Sequence, residues 1–388
     1  MSIDFNQLQT KWNYPTNIHF GVGSSTQLTE FCKNMGMTRP LLVTDSGLAK
    51  LPMVANIVDS LASASLFSEV KPNPTGDNVD AGVRVFREGG HDGVIALGGG
   101  SALDAAKAIA LMAGQNRPLW DFEDVGDNWL RVDVSAMAPC IAIPTTAGTG
   151  SEVGRASVIT DEQARKKRII FHPKMLPSLV VMDPQLTVGL PPAVTAATGM
   201  DALSHCLEAY CAPGFHPMAD GIAVEGIRMV KDWLPVAFND GADLQARSQM
   251  LVASSMGATA FQKGLGAMHA LAHPLGALYD AHHGLLNAIL MPYVIHANRE
   301  VISDRIAYLC CCLSLDNQSV DGFLAWLLAL RKALQIPHSL LEIGVDEYHI
   351  DLVAKMAVED PSAGGNPIAF NVEAYKDIAS RAICGQLV

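Results

Sequence analysis

The sequence predicts two folds in series: an α/β domain with a parallel sheet over residues 1–188, then an all-α domain over residues 189–388. Three observations carry that reading. Short β-rich runs alternate with helical patterns through the first half, the signature of parallel strands joined by crossover helices. After Leu190-Pro191-Pro192 the texture changes to long stretches rich in Ala, Leu and Met at helical spacing, with few β-branched runs. Finally, 49% of the 388 residues are apolar and 17% are charged, so the chain can bury a large core and lies far from the composition of a disordered one.

Taken in order, the expected strands are Leu41-Leu42-Val43-Thr44 and Gly93-Val94-Ile95-Ala96-Leu97, each entering a turn and a helical pattern. Two further apolar runs, Cys140-Ile141-Ala142-Ile143 and Leu179-Val180-Val181-Met182, stop at a proline or at Asp-Pro and extend the same buried sheet. The boundary falls near residue 188. No internal repeat or low-complexity tract interrupts the pattern.

Charge and cysteine usage exclude several classes. Lys plus Arg number 27 against 39 Asp plus Glu, a net charge of −12 that opposes binding to nucleic-acid phosphates or anionic lipid. The eight cysteines form no Cys-x-x-Cys pair and three are adjacent at 310–312, which suits neither a disulfide framework nor a thiolate zinc site. A reducing cytoplasm is expected. The opening Met-Ser-Ile-Asp-Phe-Asn-Gln lacks a basic region followed by an apolar run, so no secretory leader is expected. The uncharged stretch 134–151 carries two prolines and several Gly and Thr, which rules it out as a spanning helix.

Two loops have the chemistry of a nucleotide site. Residues 98–107, GGGSALDAAK, put Gly98, Gly99, Gly100 and Ser101 where a strand turns into an Ala-rich helix, so backbone can approach a phosphate and free helix N–H groups can face it. The run is neither a Gly-x-Gly-x-x-Gly fingerprint nor a Walker loop. Its plain alternative is an ordinary tight turn. Residues 144–152, PTTAGTGSE, follow the next strand and add the hydroxyls of Thr145, Thr146 and Thr149; two such loops at neighbouring strand ends agree with a dinucleotide laid across them. Asp45, ending the strand at 41–44, offers a carboxylate to a ribose diol and repels a 2′-phosphate, which favours NAD over NADP. A turn or cap role is its plain alternative.

The second half carries titratable groups at telling spacing. Asp201 and His205 lie four apart in TGMDALSHC, on one face of a helix, and six of the twelve histidines fall at 205 and within 269–296. One carboxylate with several neutral imidazoles suits Fe²⁺ or Zn²⁺ rather than the all-oxygen shells of Ca²⁺ and Mg²⁺. Spacing leaves open which of His269, His273, His282 and His283 ligate.

At these residues the chain resembles the iron-containing, or group III metal-dependent, alcohol dehydrogenases, the family of lactaldehyde reductase and 1,3-propanediol dehydrogenase. The resemblance spans nearly the whole chain through Pro72-Asn73-Pro74-Thr75, Gly98-Gly99-Gly100-Ser101 with Asp104 and Lys107, Pro144 to Thr149, Asp201 with His205, and His269 through Asn287. It implies metal ligands Asp201, His205, His269 and His283, with His273 beside the nicotinamide rather than on the metal. Asp104 and Lys167 join the expected NAD contacts. The implied activity is metal-dependent hydride transfer between NAD(H) and a small alcohol or aldehyde, with Fe²⁺ or alternatively Zn²⁺, in a cytoplasmic homodimer or larger homo-oligomer. Departures at Gly154 and Ala156 imply a roomier pocket; Lys263 is read as an exposed loop lysine, with contact to an anionic substrate as the sharper alternative. The competing readings are a polyol or hydroxyacid dehydrogenase of the glycerol-dehydrogenase type, a dehydroquinate-synthase-like enzyme, a non-redox metallohydrolase, and a binding protein with a degenerate site.

Overall fold

The computed structural model of the chain describes residues 13–164 and 166–387, so the expectation about a leader falls outside the described residues. The chain divides into two compact units, one spanning Pro15–Leu190 and Gly241–Leu251, the other containing Pro191–Asp240 and everything described from Val252 onward.

In the first unit the chain runs β1 (Ile18–Phe20), α1 (Leu28–Asn34), β2 (Pro40–Asp45), α2 (Pro52–Ser60), β3 (Ser65–Val70), α3 (Gly76–Glu88), β4 (Gly93–Gly98), α4 (Gly100–Met112), β5 (Cys140–Pro144), β6 (Ala156–Asp161), β7 (Lys166–Phe171) and β8 (Leu179–Met182). Among the described residues, six of these strands form one sheet in the order β1-β8-β5-β4-β2-β3, with every pairing parallel. Alternation along the strands builds two cores. Leu41, Val43, Val94 and Ala96 pack with α3 and α4 on one face, while Leu42, Ile95, Ile141 and Val181 pack with α1 and α2 on the other. Both faces are therefore covered, and the strands read as continuous apolar runs.

The four strands expected from the sequence are present, and four others were not legible. β1 is three exposed residues at a sheet edge, and β3 is the opposite edge strand, with Ser65, Leu66 and Glu69 exposed. Short or half-solvated edges lose the apolar run that marks a buried strand. β6 and β7 form a separate antiparallel hairpin, in which Lys166, Lys167 and Arg168 break the hydrophobic pattern.

The chain continues with α5 (Pro192–Cys211), α6 (Pro217–Asn239), α7 (Leu244–Ala260), α8 (Ala267–Tyr279), α9 (His283–Cys312), α10 (Val320–Ala333), α11 (Ile350–Glu359) and α12 (Val372–Cys384); α7 passes from the first unit to the second at Val252, and among the second unit's described residues no strand occurs. α5 is buried from Thr195 to Tyr210, packed by α6 and α9, so it is apolar on every side except where it carries the polar groups discussed below. None of the described helices is long and apolar enough to cross a membrane.

The division departs from the expected break at residue 188 in two places. Residues 241–251 group with the sheet because buried Arg247 donates to the carbonyls of Gly241 at 2.9 Å and Leu190 at 3.3 Å. Asn13 and Tyr14 group with the helices: the Gln262 carboxamide accepts from the Asn13 N–H at 2.7 Å and donates to its carbonyl at 2.8 Å.

Candidate functional site

In the sheet-bearing unit the chain leaves β2 toward β3 and returns with β4 on the other side of β2, so the C-terminal ends of β2 and β4 flank the point where the topology reverses. Ligands of open α/β sheets bind at such points. Gly98 sits there at φ +147°, and a Cβ on it would lie 2.7 Å from the Ala102 Cβ; a Cβ on Gly100 would lie 2.6 Å from the Thr149 Cγ2. Both positions demand glycine. α4 starts at N-cap Gly99 with no side-chain cap, leaving its first N–H groups to an outside acceptor. The second loop is brought against the first: the Thr145 N–H donates to the Gly98 carbonyl at 2.9 Å, and a Cβ on Gly99 would meet the Thr146 Oγ1 at 3.2 Å. Glycines and threonine hydroxyls thus surround an uncapped helix N-terminus, a donor set that fits a pyrophosphate.

The charged groups near these loops have other employment. Asp104 accepts from the Ser151 hydroxyl at 2.5 Å and the Val158 N–H at 2.8 Å, and pairs with Lys107 at 3.2 Å. Lys107 is fully buried and donates to the carbonyls of Ser151 and Ala156, so the pair clamps β6 and the second loop onto α4. Gly154 and Ala156, expected to widen a pocket, stand beside that amine. The Ser101 hydroxyl donates to the Pro72 carbonyl, and Lys167 reaches the Asn73 carboxamide at 3.0 Å. Asp45 accepts from the N–H groups of Gly47 and Leu48, both at 2.9 Å, through a single oxygen. It therefore holds its own turn, the plainer of the two readings.

In the helical unit the titratable residues converge. Asp201 and His205 on α5 and His269 on α8 are all buried, and one ligand atom from each lies within 4.8 Å of the others. His283, the first residue of α9, stands next to this group with its Nε2 3.8 Å from the Asp201 Oδ1. The Asn287 amide, one turn along α9, touches the Asp201 Oδ1 at 2.9 Å and the Nε2 atoms of His269 and His283 at 3.2 Å each, so three prospective ligand atoms face one point. One carboxylate among convergent imidazoles fits a transition-metal ion.

Neighbouring carboxylates fix the rings. His269 gives its Nδ1 to Glu208 at 2.7 Å; burial, the largest influence, pushes the imidazole toward its neutral form, but the charge and hydrogen bond of Glu208 together with the charges of Asp201 and Asp360 hold the pKa above the ordinary value. His273 gives its Nδ1 to Asp360 at 2.8 Å, and its ring stacks on His283 with centroids 5.5 Å apart. Burial pushes the Asp360 carboxyl up, yet the His273 interaction and hydrogen bonds from Ser362 hold it below the usual range. His282, which spacing left open, is the N-cap of α9, accepting from the Leu285 N–H.

The reading of Lys263 needs correction and three residues were missed. Lys263 is neither exposed nor poised for substrate: its side chain is 1% exposed, paired with Asp220 at 2.5 Å and donating to the Tyr210 carbonyl at 3.2 Å. Glu208, Asn287 and Asp360 were not singled out. Glu208 had a signal, because positions 201, 205 and 208 share one face of α5. Asp360 had none, being 87 residues from His273.

Comparison with known proteins follows the same division. Residues 15–184 match the family described as iron-containing alcohol dehydrogenase, and residues 195–383 match the C-terminal part of the Fe-containing alcohol dehydrogenase family. The chain is 38% identical over 382 residues to a 4-hydroxybutyrate dehydrogenase from Cupriavidus necator, covering 95% of this chain and 99% of that protein. Among solved structures, 1,3-propanediol oxidoreductase superposes with a TM-score of 0.91 at 33% identity, covering 96% of this chain and all of that one. A sulfoacetaldehyde reductase from Bifidobacterium kashiwanohense, solved with NAD+, superposes with a TM-score of 0.87 at 27% identity, covering 96% of this chain and 99% of that one.

Proposed function

The chain belongs to the iron-containing alcohol dehydrogenase family and is an oxidoreductase of alcohols and aldehydes; from that premise we propose that it uses NAD(H) and a divalent-metal centre held by Asp201, His205, His269 and His283. The observation that carries the proposal is the convergence of buried Asp201, His205 and His269, with His283 beside them. Fe²⁺ is the proposed ion and Zn²⁺ its alternative, since both accept this donor set. When bound, the cation would lower an alcohol's pKa or polarise a carbonyl, and NAD would take or give the hydride.

The chain's own residues have distinct proposed tasks. The α5 pair supplies the carboxylate and one imidazole, α8 and α9 supply the others, and burial keeps water from Asp201, His205 and His269. His273 is proposed to orient the cofactor or relay the substrate proton, with Asp360 fixing its ring. The uncapped α4 N-terminus and the hydroxyls of Thr145, Thr146 and Thr149 are proposed to hold the pyrophosphate, and the NAD+ carried by the sulfoacetaldehyde reductase supports the choice of dinucleotide. Asp45 is proposed to disfavour a 2′-phosphate through the oxygen not spent on its turn. Because Asp104 and Lys107 are satisfied by protein, their proposed contribution is to fix the loops.

β1 lies at a sheet edge with Ile18 and Phe20 exposed, which supports pairing with a second copy in a homo-oligomer. Eight free cysteines support a reducing, cytoplasmic setting. Family membership leaves the non-redox metallohydrolase reading without support.

The test is a screen of small alcohols and aldehydes, 4-hydroxybutyrate among them, with NAD or NADH and protein reconstituted with Fe²⁺ or Zn²⁺. Nicotinamide absorbance should change only with substrate, cofactor and metal together; turnover with no such change would overturn the proposal.

A further inference from the structure

The α5 face that carries Asp201 and His205 continues to Glu208, a carboxylate only 5% exposed and surrounded by three hydrogen-bond donors. Its Oε2 accepts from the Gly266 N–H at 2.8 Å and from the His269 Nδ1 at 2.7 Å, while its Oε1 accepts from the Met268 N–H at 2.7 Å. Gly266 is the N-cap of α8 and has no side chain with which to cap. Glu208 therefore caps α8 from another helix, putting negative charge where the first N–H groups need an acceptor. Asn366 takes the intervening Ala267 N–H at 3.2 Å.

The same carboxylate decides the tautomer of His269. With the Nδ1–H given to Glu208, the neutral ring leaves Nε2 unprotonated, its lone pair among Asp201 and His283 and beside the Asn287 amide. Orientation and tautomer are both set by one contact, the arrangement in which an outer carboxylate raises the basicity of a ligating histidine. We infer that Glu208 is a positioning residue for the metal centre, locking the donor atom of α8 in register with the two donors of α5. This rests on the metal reading above.

Glutamine cannot replace it. All three partners are donors, so a carboxamide would set its NH₂ against at least one of them and lose that bond. Gly266 is held to the same geometry, because a Cβ there would lie 3.0 Å from the Glu208 Oε1.

The test uses full-length protein stripped of metal and reloaded with Co²⁺ alone. Co²⁺ affinity is measured by competition with a chromophoric chelator, together with visible d–d absorption, far-ultraviolet circular dichroism and NAD affinity. Glu208→Gln should weaken Co²⁺ binding by roughly 10- to 100-fold and change the d–d bands, with native dichroism and unchanged NAD affinity. A Co²⁺ affinity and spectrum equal to wild type would overturn the inference. Should Glu208→Gln fail to fold, Gly266→Ala displaces the carboxylate without removing it. The same loss is then expected, and an unchanged Co²⁺ affinity counts against the role equally. His205→Ala separates the two levels of the argument. If it binds Co²⁺ as tightly as wild type, the metal reading falls and the inference with it; if it loses Co²⁺ while Glu208→Gln does not, only the positioning role falls.

Discussion

The sheet-bearing unit and the helical unit build their candidate sites from different materials. Around β2, β4 and β5 the groups offered to a ligand are backbone N–H groups, glycine surfaces and threonine hydroxyls, while the nearby charges, Asp104 and Lys107, are spent on each other and on the loops. Around α5, α8 and α9 the offered groups are titratable side chains, and the carboxylates Glu208 and Asp360 serve to aim histidines. A backbone-built site is set by where glycine is required. A side-chain-built site is set by which polar groups share a buried volume, and it needs a second layer of partners to keep each donor in one orientation.

That contrast ranks the expected consequences of mutation. His205→Ala should be the most damaging, removing one of three buried converging donors. Bound metal and turnover should both be lost, and metal analysis with normal content would break the side-chain account of the helical unit. His273→Ala should retain metal and NAD but lose kcat by roughly 10²-fold, the scale of a missing acid–base group. Single-turnover hydride transfer checks this: lost metal would make His273 a ligand, and unchanged transfer would make it packing.

Lys107→Met sharpens the other half of the comparison. It leaves the Asp104 carboxylate without its cation in a mostly buried position, which should cost stability on the order of 3–5 kcal/mol, the range for breaking a buried pair. The thermal midpoint should fall, and the KM for NAD should rise with it as the second loop loses its clamp. A large change in that KM with unaltered stability would mean that the charge serves the cofactor directly. The smallest effect is expected at Asp45. Asp45→Asn preserves the acceptor for Gly47 and Leu48 yet removes the charge, so the preference for NAD over NADP should drop by roughly tenfold, the equivalent of about 1.4 kcal/mol. The ratio of kcat/KM values measures it, and an unchanged ratio would leave Asp45 only its turn.

The same contrast explains what the sequence revealed. The central strands were legible because burial on both faces makes them unbroken apolar runs, as at Val94 to Leu97. β1, β3 and the β6–β7 hairpin were not, because exposed edges and basic residues dilute that pattern. Gly98 and Gly100 announced a close approach, and Asp201 with His205 announced a shared helical face. Employment was harder to read than presence. Lys263 looks like a loop lysine until Asp220, 43 residues away, is brought to it. Asp360 reaches His273 only through the packing of α11 against α8. Such pairings belong to tertiary structure, and no local period encodes them.

Catalysis is proposed to depend on one ion held by side chains of α5, α8 and α9. The most direct test is to titrate metal-free protein with Fe²⁺ under anaerobic conditions, recording NADH formation from a turned-over alcohol against ion bound per chain. No turnover is expected in the stripped protein, followed by a linear rise that levels off at one ion per chain. Full turnover in metal-free protein, or a rate indifferent to bound ion, would contradict it.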